Sequence, residues 1–123
     1  MTVEEAGKTL TEQVQSIQTR WDDYDFFFLH YKYTDSTGED GNFSEKVSRI
    51  EELDSVIPDL MKTDPQVLIV TGDHSTPSLL RSHSWHPVPT LLVSPNCRPD
   101  QVSRFEEATC LSGGLGQLSL IHI

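Results

Sequence analysis

Asp35, Glu39, Asp73, His74 and His83 are the residues of this sequence best suited to hold a metal ion. Asp35 and Glu39 stand four apart in the acidic, glycine-containing stretch 34–41, and Asp73 and His74 are adjacent. Carboxylates supply anionic oxygens and imidazoles supply neutral nitrogens, a donor mixture suited to Mn²⁺, Zn²⁺ or iron. A two-metal phosphoryl-transfer site needs that mixture: acids offset the charge of two dications, imidazoles fix geometry, and glycines turn the backbone around the ions. Each piece alone is a weak signal. The stretch 34–41 also reads as an ordinary acidic surface loop, Asp73 as an Asx-turn former, and Thr76 as a helix cap. His83 and His86 flank Trp85 and also fit a solvated turn.

Convergence from separate elements would set these residues apart from turn chemistry. Val67 to Val70 are consecutive apolar residues, as in a buried strand, and the chain leaves them through Thr71 and Gly72 into Asp73 and His74. A carboxylate and an imidazole then stand at a strand's carboxyl end, where ligands bind in open parallel α/β sheets. The aromatic run from Phe26 to Tyr33 reads as another strand, ending in the 34–41 loop, and Val88 to Ser94 as a third. Leu10, Val14, Ile17, Trp21 and Tyr24 follow the capping box of Thr9 and Glu12 at helical spacing. Phe43, Val47, Ile50, Leu53, Ile57 and Leu60 do the same after Asn42 and Glu45, with Pro58 expected to kink or divide that helix. Thr76 and Pro77 suit the start of a short helix to Arg81, and Asp100 to Leu111 reads as a last helix stopped by Gly113 and Gly114. Strands alternating with helices predict a three-layer α/β domain, a parallel sheet with flanking helices. That topology sends the three ligand-bearing loops to one sheet edge.

Composition narrows the function further. The 123 residues suffice for one domain, and a formal charge of −10 without any basic run argues against a nucleic-acid partner. No apolar run approaches the roughly 18 residues that cross a bilayer, and Met1 to Lys8 has neither a basic nor an apolar export region, so the expected location is the cytoplasm. Cys97 and Cys110 lack CxxC spacing and read as two plain thiols. His30 is expected to be packed within the aromatic strand, and Ser75 and Ser78 to serve the turn, since no partner base is spaced to make either a nucleophile.

The segment His30 to Asn42, with Lys46, Ile50, Glu51 and Asp54 after it, resembles the metal-binding stretch of a known family. This is the archaeal-type cofactor-independent (2,3-bisphosphoglycerate-independent) phosphoglycerate mutases, members of the alkaline phosphatase superfamily. Thr71 to Pro77 and His83 to Pro89 are similar to that family's next two motifs, in the same order, and the likeness runs from about Asp22 to Gly116. The resemblance implies that Asp35, Glu39 and His83 bind one divalent ion and that Asp73 and His74 belong to a second. Mn²⁺ is the expected metal, with Zn²⁺ or Mg²⁺ as alternatives. Glu39 stands where histidine is commonest in the family, a change toward harder ions.

The likeness is to the C-terminal part of these enzymes. Their nucleophilic serine and a further metal-holding aspartate belong to an N-terminal portion without counterpart here, so 1–123 reads as one partial alkaline-phosphatase-like domain, inactive alone. Leu118 to Ile123 departs from the pattern and reads as a truncated or artefactual end, with His122 in no site. The implied reaction interconverts 3-phosphoglycerate and 2-phosphoglycerate through a phosphoserine, with a small phosphorylated substrate as partner. Alternatives are another phosphomutase or a phosphatase of the same superfamily, or a non-catalytic metal-binding α/β module.

Overall fold

Thr9 and Glu12 close their capping box as expected: the Thr9 hydroxyl accepts from the Glu12 amide, and the Glu12 carboxylate accepts from the amides of Thr9 and Lys8. They open α1, Leu10–Thr19, in the computed structural model, which describes residues 7–116. The helix stops short of Tyr24 because Arg20 leaves helical geometry (φ −106°, ψ 14°), and a 3₁₀ turn at Trp21–Asp23 follows. Trp21 stacks on Phe27 at 5.2 Å.

The aromatic run is not a strand. Side chains from Phe26 to Tyr31 alternate between exposed and half-buried, as a strand's would, but no described strand pairs with them. Phe26 and Phe28 project outward, while Leu29 and Tyr31 pack on the core. The 34–41 segment differs as well: the expected loop is largely α2, Tyr33–Glu39. Thr37 satisfies its hydroxyl within the helix, donating to the Tyr33 carbonyl (2.8 Å). Gly41 takes φ +71°, the left-handed conformation that turns the chain from α2 into the next helix.

That helix, α3, spans Phe43–Met61 and is capped by the Asn42 side chain, which accepts from the Glu45 amide. Pro58 does not divide it. Packing of Leu53, Val56 and Leu60 against α1 spans the proline and holds the helix together there. Leu10 and Val14 of α1 with Val56 of α3 form the buried apolar cluster, joined by Leu29, Tyr31, Leu53 and Leu60. The Gln18 side chain adds a hydrogen bond to the Asp59 carbonyl (2.8 Å).

The sheet keeps the mixed α/β character of the expected partial domain and changes its direction. Strand β1, Leu68–Thr71, pairs antiparallel with β2, Thr90–Val93, in a two-stranded sheet. Parallel neighbours require a crossover element, and the segment between these strands supplies none. The short helix expected from Thr76 to Arg81 is a single turn in which the amides of Leu80 and Arg81 both donate to the Pro77 carbonyl. The segment instead folds back on itself through an isolated antiparallel bridge between Ser75 and Ser84. The last helix is also shorter than expected, α4 being Glu107–Cys110, because the Asp100 carboxylate accepts from the Val102 and Gly114 amides and ties a turn. No described helix is long and apolar enough to cross a membrane. The export region considered at the N-terminus falls partly, and the stretch 118–123 wholly, outside the described residues.

Candidate metal centre

Helix α2 carries Asp35 and Glu39 one turn apart, so both carboxylates project from the same face. The loop after β1 carries Asp73 and His74, and the Asp73 side chain accepts from the His74 amide (3.1 Å) in a tight local turn. The bridge in which the Ser84 amide donates to the Ser75 carbonyl (2.8 Å) brings His83 back beside His74. Their ring centroids lie 3.8 Å apart, tilted by 33°.

All five residues singled out in the sequence meet here. His83 Nε2 is 3.5 Å from Asp35 Oδ1 and 3.6 Å from Glu39 Oε1. His74 Nε2 is 3.5 Å from Asp73 Oδ2, while its Nδ1 is 3.9 Å from Asp35 Oδ1. Asp35, His74 and His83 each offer a donor atom within 4.8 Å of the others. These separations exceed ordinary hydrogen bonds. Two ligands each about 2.1 Å from a shared ion stand between roughly 3.0 Å apart when adjacent and about 4.2 Å when opposite, so these donor pairs lie within reach of a divalent cation. His83 faces both Asp35 and Glu39, while His74 stands between Asp73 and Asp35 and so joins the two groups. Asp35 and His74 are the sheltered members, with side chains 16% and 17% exposed, while Glu39, Asp73 and His83 lie open to solvent.

Burial alone would raise the Asp35 carboxyl. Hydrogen bonds from Thr76 Oγ1 (2.5 Å) and Lys32 Nζ (3.0 Å) outweigh it, and the group sits below the usual aspartate range. Lys46 donates to the Thr76 carbonyl at 2.6 Å, and burial pushes its ammonium below the ordinary lysine value. Gly38 is required at its position because a Cβ there would run into the Thr76 carbonyl and approach Lys46 Nζ.

In the sequence Thr76 has the signature of a helix cap and nothing more. Its hydroxyl reaches Asp35 across 41 residues, and no local spacing announces such a contact. Ser75 donates to the His86 carbonyl and Ser84 contacts His86 Nδ1 (2.8 Å), so both hydroxyls are engaged in the loop itself. His86 stacks on Trp85. His30 is exposed and stacks on Phe28 rather than packing inside a strand. Cys97 and Cys110 are free thiols.

The Metalloenzyme superfamily model matches residues 2–122. Three similar relatives share the name "Probable 2,3-bisphosphoglycerate-independent phosphoglycerate mutase". That of Thermotoga petrophila is 48% identical over 96% of this chain and 29% of its own length. Those of Aquifex aeolicus and Thermus thermophilus are 46% and 47% identical, each over 98% of this chain and 30% of its own length. The chain thus spans under a third of these relatives. The solved structure of the PH0037 protein from Pyrococcus horikoshii superposes with a TM-score of 0.81 at 37% identity, over 86% of this chain and 33% of that one. With the family match running through almost every residue, including all five that converge at the site, the chain belongs to the metalloenzyme superfamily.

Proposed function

We propose that these residues form the metal-binding part of a cofactor-independent phosphoglycerate mutase, which interconverts 3-phosphoglycerate and 2-phosphoglycerate in cytoplasmic glycolysis and gluconeogenesis. The observation that carries the reading is the meeting of Asp35, Glu39, Asp73, His74 and His83 in a chain 46–48% identical to proteins bearing that enzyme's name. Asp35, Glu39 and His83 would hold one divalent ion, and Asp73 and His74 would contribute to a second. Three carboxylates among five donors favour Mn²⁺ over Zn²⁺, and the two imidazoles favour it over Mg²⁺. When bound, the ions supply charge neutralisation for a transferring phosphoryl group and lower the pKa of the attacking hydroxyl.

The chain's own residues prepare this. Thr76 and Lys32 keep Asp35 ionised and oriented, and α2 and the 73–84 loop hold carboxylates and imidazoles at fixed separations. The serine that takes up the phosphoryl group is not among the residues we assign, and the chain alone is expected to give no turnover. The test exchanges the matching segment of the Thermotoga petrophila relative for this one. Retained interconversion of the two phosphoglycerates, lost again on Asp35→Ala or His83→Ala, supports the proposal. A folded, metal-loaded chimera with no such activity, or turnover by the 123-residue chain alone, contradicts it.

A further inference from the structure

We propose that Thr76 is a positioning residue that fixes the tautomer of His74, and thereby chooses which ring nitrogen His74 offers to a metal. Thr76 is 4% exposed, and its Oγ1 lies between Asp35 Oδ1 (2.5 Å) and His74 Nδ1 (3.1 Å). A hydroxyl has one hydrogen to give, and an ionised carboxylate can only accept. Aspartate is ionised at neutral pH, so Asp35 Oδ1, the nearer of the two partners, takes that hydrogen. The contact with His74 must then run the other way, with Nδ1–H donating to Thr76 Oγ1. In a neutral imidazole this leaves the lone pair on Nε2, the atom that faces Asp73 Oδ2 at 3.5 Å. One hydroxyl thus links the two donor groups, orienting Asp35 in the first and setting the ligand atom of the second.

The relay is braced from outside. Lys46 Nζ holds the Thr76 carbonyl, and Gly38 lets α2 approach closely enough for the Thr76 hydroxyl to reach Asp35. Outer partners of this kind are worth roughly 10- to 100-fold in metal affinity.

The inference rests on the proposed metal centre only in its last step, because the tautomer belongs to the metal-free chain. The test is therefore ¹⁵N NMR of histidine-labelled, metal-free 123-residue protein, well above the ordinary histidine pKa of about 6.5. His74 is expected as a single Nδ1–H tautomer, kept in Thr76→Ser and lost in Thr76→Val. A Mn²⁺ titration of the same samples should show affinity near wild type for serine and reduced about 10- to 100-fold for valine. An Nε2–H tautomer in the wild type overturns the inference, as does a folded valine variant that keeps Nδ1–H. Should the valine variant not fold, the wild-type tautomer decides alone. An Nδ1–H tautomer in a chain that binds no divalent ion would sustain the relay and remove the metal centre, so the two proposals fail separately.

Discussion

The helix pair α1–α3 buries apolar side chains, whereas the loop between β1 and β2 buries mainly hydroxyls. Between the helices the buried residues are Leu10, Val14 and Val56; in the loop they are Ser75, Thr76 and Ser84, with Val88 as its one buried apolar residue. The helices are held by apolar burial, which has no direction and tolerates side chains of similar volume. The loop is held by hydroxyls whose every bond has a fixed partner, so a substitution of identical volume can still break it. A metal centre needs the second kind of packing, since donor atoms must be held to within a few tenths of an ångström. The helices supply a foundation, and in the proposed centre the Thr76 hydroxyl would aim Asp35 and His74.

Breaking the foundation should have the largest effect. Leu10→Ala is expected to cost about 2–5 kcal/mol in urea unfolding through the cavity it leaves, while the folded fraction keeps its affinity for Mn²⁺. A fall in affinity without a fall in stability would erase the distinction between the two regions.

Gly38→Ala sharpens it. In an isolated helix alanine is better than glycine by about 1 kcal/mol. Here the added Cβ meets the Thr76 carbonyl, so the expected result is a loss of about 1–3 kcal/mol together with weaker Mn²⁺ binding. A stabilised variant with unchanged binding would show that α2 and the loop are not in close register.

The smallest effect is a pH dependence confined to the foundation. Burial, reinforced by the hydrogen bond to Glu52, raises the Tyr31 phenol to about 12. Because the folded-state value lies above the unfolded one, near 10, this stabilisation is complete below about pH 10 and fades as pH climbs toward 12. Tyr31→Phe should flatten that part of the alkaline unfolding curve; an identical curve would assign the dependence to other groups.

The same contrast explains what was legible in the sequence. Caps at Thr9 and Asn42 were readable because their partners, Glu12 and Glu45, stand three residues away. The five donors were readable because acids and histidines cluster around a recognisable apolar strand. Whether Phe26 to Tyr31 forms a strand depends on a partner elsewhere in the chain, and alternation alone cannot supply one. α2 was hidden by its composition. Asp35, Ser36, Thr37 and Gly38 are poor helix formers, and the helix is sustained by contacts that sequence does not display: Thr37 back to Tyr33, Asp35 to Thr76, and Gly38 against the Thr76 backbone. Antiparallel pairing was missed because the alternation of predicted elements suggested crossovers, whereas the Ser75–Ser84 bridge folds the connection back.

The most direct measurement is a Mn²⁺ titration of the intact chain followed by electron paramagnetic resonance, beside His83→Ala and Asp73→Ala. The proposed assignment predicts two saturable sites in the wild type, with each substitution weakening a different one. No saturable binding by the folded wild-type chain, or binding indifferent to both substitutions, would contradict the central claim that these side chains converge to hold metal.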